Sequence, residues 1–259
     1  MDATPLSRMA TVEGMQLHYT VQGQGQPLVL LHGFTGVGAD WRHVFELEAL
    51  ARRYQLIIPD LRGHGRSNNP SGSFTVRQCA ADVLALLDTL GIERFRAVGL
   101  SLGGNVLLHV ATRAPHRVER MVLVSSPPYY PTEARRIMAM MDEAHRTEAE
   151  WADMRARHPL GDEQIRALWR HARGFADSYD DMSFTPPHLA TITAPTLIVY
   201  GDRDPLYPVE LGLQLYRAIP HARLWVVPNG GHGPIFLEHR DAFARTALAF
   251  LEDDAPPAA

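Results

Sequence analysis

Apolar positions along the chain switch repeatedly between short runs or a period of two and a period near 3.6, the mark of strands alternating with helices. "MQLHYTVQGQGQPLVLL" (15–31) reads as two strands joined by a glycine-rich hairpin, the second apolar enough to be buried on both faces. In "ADWRHVFELEALARR" (39–53), Trp41, Val44, Phe45 and Glu48 fall at helical spacing and predict a helix, its stripe diluted by the glutamate. "YQLIIPD" (54–60) follows as a buried strand. The next helix is the best marked: Thr75 can cap it with Gln78 three residues on, and Gly91 ends it. Val76, Cys79, Ala80, Val83, Leu84, Leu87 and Leu90 share one face, which should cover a sheet.

"RFRAVGL" (94–100) is then a strand, "NVLLHVATR" (105–113) a helix and "VERMVLVSS" (118–126) a further strand. From "PPYYPTEARR" to "SFTPPHLATI" the strand signal vanishes, leaving charged helical segments that carry Met and Trp between proline pairs at 127–128 and 186–187. This segment, 127–190, reads as an inserted helical cap, with 1–126 and 191–259 forming the core domain. "APTLIVYGDRDP" (194–205) resumes the sheet, "VELGLQLYRAI" (209–219) is a helix, "ARLWVVP" (222–228) a strand and "RDAFARTALAFLEDD" (240–254) a closing helix. The tail "APPAA" is expected to be disordered. The resulting class is α/β, a mostly parallel, doubly wound sheet.

Composition narrows the function classes. The 259 residues can bury a large core. The 25 basic and 29 acidic side chains, net −4, are spread along the sequence with no basic stripe, so nucleic acid is not an expected partner. Cys79 is the single cysteine, which excludes an internal disulfide, and its place in a helical apolar pattern makes it a buried small hydrophobe. Neither a signal peptide nor a membrane span is legible, so a cytoplasmic protein is expected. No metal-ligand spacing or cofactor motif stands out, and no cofactor is expected.

The chemistry centres on "VGLSLGG" (98–104), where G-x-S-x-G follows a predicted strand. A sharp strand-to-helix turn forces its central residue into a strained conformation, and flanking glycines relieve the crowding. Gly99 and Gly103 would then present Ser101 for attack. A serine hydroxyl needs a base and a group that orients the base. Of thirteen histidines, His232 in "PNGGHGP" sits in a glycine-rich loop directly after a strand, at the end of the sheet where ligands gather in this fold class. His109 lies within a helix, His221 enters a strand, and His239 lies near the start of the last helix. For the orienting carboxylate, "LIVYGDRDP" offers two aspartates. Asp202 follows the turn glycine and suits capping of local N–H groups, whereas Asp204 lies further out toward the serine. Asp60 is a positional rival, although it precedes the serine in the chain. The N–H of Leu102, at the start of the helix after the serine, can stabilise an oxyanion.

"LHGF", "DLRGHGRS", "GLSLGG", "YGDRDP" and "GGHG", in that order, resemble the α/β-hydrolase superfamily, in the branch with a helical cap, over nearly the whole chain. The resemblance implies that Asp204 is the triad acid and that the second oxyanion donor is the N–H of Phe34. "HGFTG" differs from the "HGGG" of one lipase and esterase branch, and a serine at the elbow differs from the aspartate of related dehalogenases and epoxide hydrolases. His32 and the Arg62, His64 and Arg66 of "DLRGHGRS" are expected to be structural. Hydrolysis of a carboxylic ester with a small to medium apolar acyl group leads, with a small-molecule ester as partner. Carbon–carbon hydrolysis of a dienoic diketo acid, lactone hydrolysis, perhydrolysis and a slow-turnover receptor are the alternatives that the resemblance leaves. Met138, Met140, Met141, Trp151, Met154 and Trp169 of the cap are candidates for an adaptable apolar pocket wall.

Overall fold

Successive residues of the central strands point to opposite faces of the sheet, and each face finds its own core. Leu28 and Leu30 pack with Trp41, Phe45, Phe243 and Phe250 on one side. Val29 and Leu31 pack with Val76, Val83, Val106 and Leu215 on the other. Burial on both faces explains why these strands are continuous apolar runs. The computed structural model describes residues 4–253. The tail 255–259 lies outside the described residues.

One sheet holds β1 (Leu6–Val12), β2 (Met15–Gln22), β3 (Gln26–Leu31), β4 (Tyr54–Pro59), β5 (Phe95–Leu100), β6 (Val118–Val124), β7 (Thr196–Gly201) and β8 (Ala222–Val227). Its order is β1-β2-β4-β3-β5-β6-β7-β8. β1 and β2 run antiparallel to their neighbours, and the pairs from β4 and β3 through β7 and β8 are parallel. The helices are α1 (Leu47–Leu50), α2 (Val76–Thr89), α3 (Leu102–Arg113), α4 (Thr132–Ala139), α5 (Glu148–Arg157), α6 (Asp162–Gly174), α7 (Pro186–Leu189), α8 (Val209–Ala218) and α9 (Arg240–Glu252). Among the described residues no helix is long and apolar enough to cross a membrane.

Two local expectations are corrected. β2 and β3 do not form a hairpin, because β4 lies between them, antiparallel to β2 and parallel to β3. A strand buried on both faces belongs inside the parallel sheet, whereas half-buried β2 can sit outside β4. The hairpin partner of β2 is β1, across the turn at Glu13 and Gly14. The helix expected over 39–53 is broken into a 3₁₀ turn, Gly38–His43, and the single turn of α1. Its start is fixed by two carboxylates, one distant and one within the turn: the N–H of Gly38 donates to Asp60 Oδ1 at 2.8 Å and that of Val37 to Asp40 Oδ2 at 3.0 Å. Trp41, Val44 and Phe45 are then buried as a knot. α2 begins as expected, with Thr75 Oγ1 accepting from the N–H of Gln78.

Between β6 and β7 the chain leaves the sheet and forms α4 to α7. Arg135 gathers this segment by donating to the carbonyls of Tyr130, Phe175, Ala176 and Ser178. Asp181 of the segment caps α2, its carboxylate accepting from the N–H groups of Val76 and Arg77, where a helix start favours negative charge. His158, at the end of α5, is 1% exposed and reaches two loops of the sheet portion. Its Nδ1 accepts from the N–H of Gly65 at 2.9 Å, and its Nε2 donates to the carbonyl of Thr35 at 3.1 Å.

Those two bonds require a neutral imidazole, and burial pushes His158 down to about 4. In the unfolded chain the same group protonates near its ordinary value, about 6.5. Between these values the unfolded state binds the extra proton, so stability is present above pH 6.5 and is lost as pH falls toward 4. Urea denaturation at pH 7 and pH 4.5 should show wild type losing about 2 kcal/mol more than His158→Gln over that step. Equal losses in the two proteins would show that burial of this imidazole carries no such linkage.

Candidate active site

Ser101 stands between β5 and α3 with φ 50° and ψ −111°, a conformation that L residues rarely adopt. Crowding around it explains the glycines. A Cβ on Gly103 would lie 2.1 Å from the carbonyl oxygen of Leu31, and one on Gly99 would lie 2.5 Å from the backbone of Gly103. α3 therefore rests directly on the ends of β3 and β5. Its first N–H groups, that of Leu102 included, have no acceptor within the helix. Phe34, in the loop after β3, and Leu102 both border the cavity in front of Ser101.

His232 comes from the loop after β8 and Asp204 from the loop after β7. These loops meet because Gly201 lets them: a Cβ there would lie 2.1 Å from the carbonyl oxygen of Gly230. The N–H of Arg203 donates to that same carbonyl at 2.9 Å. His232 Nε2 is 2.9 Å from Ser101 Oγ, and Nδ1 is 2.9 Å from Asp204 Oδ2. The Asp204 side chain is fully buried, while that of His232 is 28% exposed. Asp204 accepts from His232 Nδ1–H, which leaves Nε2 as the acceptor for the serine proton. Its other oxygen, Oδ1, accepts from the N–H groups of Leu206 and Tyr207 at 2.8 and 3.1 Å. The local capping expected of Asp202 is thus performed by Asp204 itself, and Asp202 is exposed.

The other candidates lie elsewhere. Asp60 takes His18 Nδ1 at 2.8 Å and the N–H groups of Gly38 and Arg66. Burial works to raise its pKa, but these bonds outweigh it and hold the carboxyl at about 2. Arg62 is spent on Asp82, with bonds of 2.8 and 2.6 Å between two buried side chains. His64 donates from Nδ1 to the carbonyl of Arg62, and burial keeps its pKa well below the ordinary value. His32 accepts from the N–H of Leu61 and donates to the carbonyl of Gly33. His109 contacts the carbonyl oxygen of Asp181 at 2.7 Å. These are structural bonds, and Asp60, the positional rival for the acid, is engaged away from Ser101.

The cavity holds about 350 Å³, and among the described residues no Asp, Glu, Lys or Arg contributes to its walls. The inserted segment supplies Tyr130, Ile137, Met138, Met141, Ala172 and Phe175. Of the six Met and Trp candidates, only Met138 and Met141 line it. Met140 is 65% exposed, and Trp151, Met154 and Trp169 pack with Ile165 and Leu168 in a separate cluster behind Phe34. Sequence reasoning missed Asn105, Tyr130, Phe175, Tyr207 and Phe236 as lining residues. Asn105 had a usable signal, one helical turn after Ser101 and so on the same face of α3. Burial raises the pKa of Tyr130 and Tyr207, so both phenols stay neutral on the wall.

Comparison with known proteins follows the same lines. A 2-hydroxy-6-oxononadienedioate/2-hydroxy-6-oxononatrienedioate hydrolase of Pseudomonas putida is 30% identical over 278 residues, spanning 92% of each chain. Est816, described as an N-acyl homoserine lactone degrading enzyme, is 26% identical with a TM-score of 0.74, over 94% of this chain and all of that one. A carboxylesterase of Bacillus subtilis shares the fold at a TM-score of 0.78 and 24% identity, over 97% of this chain and 93% of that one. The sequence pattern of the α/β hydrolase family matches residues 28–246, from the strand before Phe34 to the helix beyond His232. With a serine raised on a strand-to-helix turn of a mostly parallel sheet, the chain belongs to the α/β-hydrolase family.

Proposed function

We propose that this hydrolase cleaves neutral carboxylic esters with a small to medium apolar acyl group. Residues 127–190 act as the cap, and 1–126 with 191–259 as the core. The observation that carries the reading is the hydrogen-bonded chain Ser101–His232–Asp204, at 2.9 and 2.9 Å, opening on an apolar cavity without charged walls. Ser101 Oγ attacks the ester carbonyl carbon while its proton passes to His232 Nε2. Asp204 holds the imidazole in the required tautomer and stabilises the imidazolium. The tetrahedral oxyanion accepts from the N–H groups of Phe34 and Leu102. His232 returns the proton to the leaving alkoxide as the carbon–oxygen bond breaks. Water, deprotonated by His232, then attacks the acyl-enzyme, and the acid leaves as Ser101 regains its proton.

The cavity suits a neutral ester better than the dicarboxylate, a hydroxy-oxo-dienedioate or -trienedioate, in the name of the Pseudomonas relative. A carboxylate moved into apolar walls without a cationic partner keeps an uncompensated desolvation cost. A lactone is an internal ester, so the similarity to Est816 supports the same ester class. The volume, about 350 Å³, is at the small end for ligand pockets and suits short to medium acyl chains.

Ser101→Ala should lower kcat on p-nitrophenyl butyrate by a factor on the order of 10⁶ with thermal stability preserved. Activity within tenfold of wild type in pure, folded protein would remove Ser101 as nucleophile. Asp204→Asn should cost about 10⁴ in kcat, because the amide presents the wrong partner to Nδ1. Asp202→Asn, altering an exposed side chain, should stay close to wild type, and a reversed ranking in steady-state assays would overturn the choice of acid. Across p-nitrophenyl acetate, butyrate, octanoate and palmitate, kcat/KM should peak at butyrate or octanoate. Each methylene the pocket rejects should cost roughly 1–3 kcal/mol. A maximum at palmitate, or a charged acid preferred over every ester, would contradict a small apolar pocket as the acyl site.

A further inference from the structure

The loop that carries the Phe34 N–H is held in an unfavourable shape. Thr35, a β-branched residue, has φ 61°, an outlier that persists only where its surroundings over-determine it. Three bonds pin the loop at successive points. His32 Nδ1 donates to the carbonyl of Gly33 at 2.8 Å, and Asp40 Oδ2 accepts from the N–H of Val37 at 3.0 Å. Between them, His158 Nε2 donates to the carbonyl of Thr35 at 3.1 Å. The first two partners belong to the sheet portion, but His158 comes from the inserted segment.

The bond to Thr35 depends on the other side of the ring. The N–H of Gly65 can only donate, so its 2.9 Å contact makes Nδ1 the bare nitrogen and leaves the proton on Nε2, facing Thr35. The backbone of one loop thus sets the tautomer that grips the next. The neighbouring residue reinforces the attachment: Arg157 Nη1 donates to Asp40 Oδ2 at 3.1 Å, the oxygen that also takes the Val37 N–H. The ring stands 5.9 Å from His64, which packs edge-on against Phe34 at 5.0 Å.

We infer that His158 is a positioning residue that clasps the oxyanion loop, so that the inserted segment fixes the Phe34 N–H as well as walling the cavity. The inference rests on the proposed role of that N–H. Displacing a prepositioned donor by about 1 Å can cost on the order of a hundredfold in rate.

The test compares wild type with His158→Leu and His158→Gln. The glutamine amide can accept from Gly65 and donate to Thr35, whereas leucine can do neither. His158→Leu is expected to lower kcat on p-nitrophenyl butyrate about 10- to 100-fold with KM within about threefold. Its affinity for a trifluoromethyl ketone, which adds Ser101 to form a tetrahedral oxyanion, should fall by a similar factor. Amide hydrogen exchange over 33–37 should quicken, and His158→Gln should recover most of all three. A folded His158→Leu protein with unchanged kcat, or a glutamine variant no better than leucine, overturns the clasp. Nitrogen-15 NMR of wild type needs no variant to fold: a proton on His158 Nδ1 overturns it as well. Should wild type hydrolyse no ester while exchange over 33–37 still depends on His158, the clasp stands and the ester reading falls.

Discussion

The close approach of α3 to the ends of β3 and β5 is the constraint on which the rest depends. Holding Ser101 at φ 50° costs on the order of 1–3 kcal/mol. That conformation persists because Gly103 seats the helix against Leu31 with no room for a side chain. Apolar side chains of α3, Val106 and Val110 among them, bury into the same face of the sheet and supply the stabilisation that offsets the strain. The helix start and the serine are therefore placed by core packing.

Parallel strand direction does the remaining placement. The ends of β3, β5, β7 and β8 open at one edge of the sheet, so loops far apart in sequence face one another there. Gly201 allows the loops after β7 and β8 to touch, and Asp204 is then used completely. One oxygen orients His232, and the other secures its own loop through Leu206 and Tyr207. A carboxylate with no freedom to turn keeps the imidazole in one tautomer and one direction.

Much of this was legible along the chain. Ser101 and His232 could be picked because elbow, turn and strand-end signals are local, whereas the choice of Asp204 over Asp202 came from the family resemblance, and the structure brings those three side chains into one hydrogen-bonded chain. The two misread elements share a cause. Pairing β2 with its neighbour in sequence ignored β4, a later strand that inserts between β2 and β3. The helix at 39–53 ignored that Asp60, distant in sequence, fixes Gly38 and starts a 3₁₀ turn. Of the two aspartates, local turn chemistry favoured Asp202 for capping, because it cannot see that one carboxylate in the right loop performs both jobs.

The sequence by itself determined which segments are strands buried on both faces, where the serine turn falls, and that the segment between β6 and β7 is helical, because periodicity and glycine placement are properties of neighbouring residues. Tertiary structure alone decided which residues wall the cavity. Met138 faces it while Met140, two residues on, faces solvent, and Trp151, Met154 and Trp169 pack on each other. The tautomer of His158 was decided in the same way, by two backbone groups from separate loops. Such choices depend on how helices pack across gaps in the chain, and no local pattern carries that information.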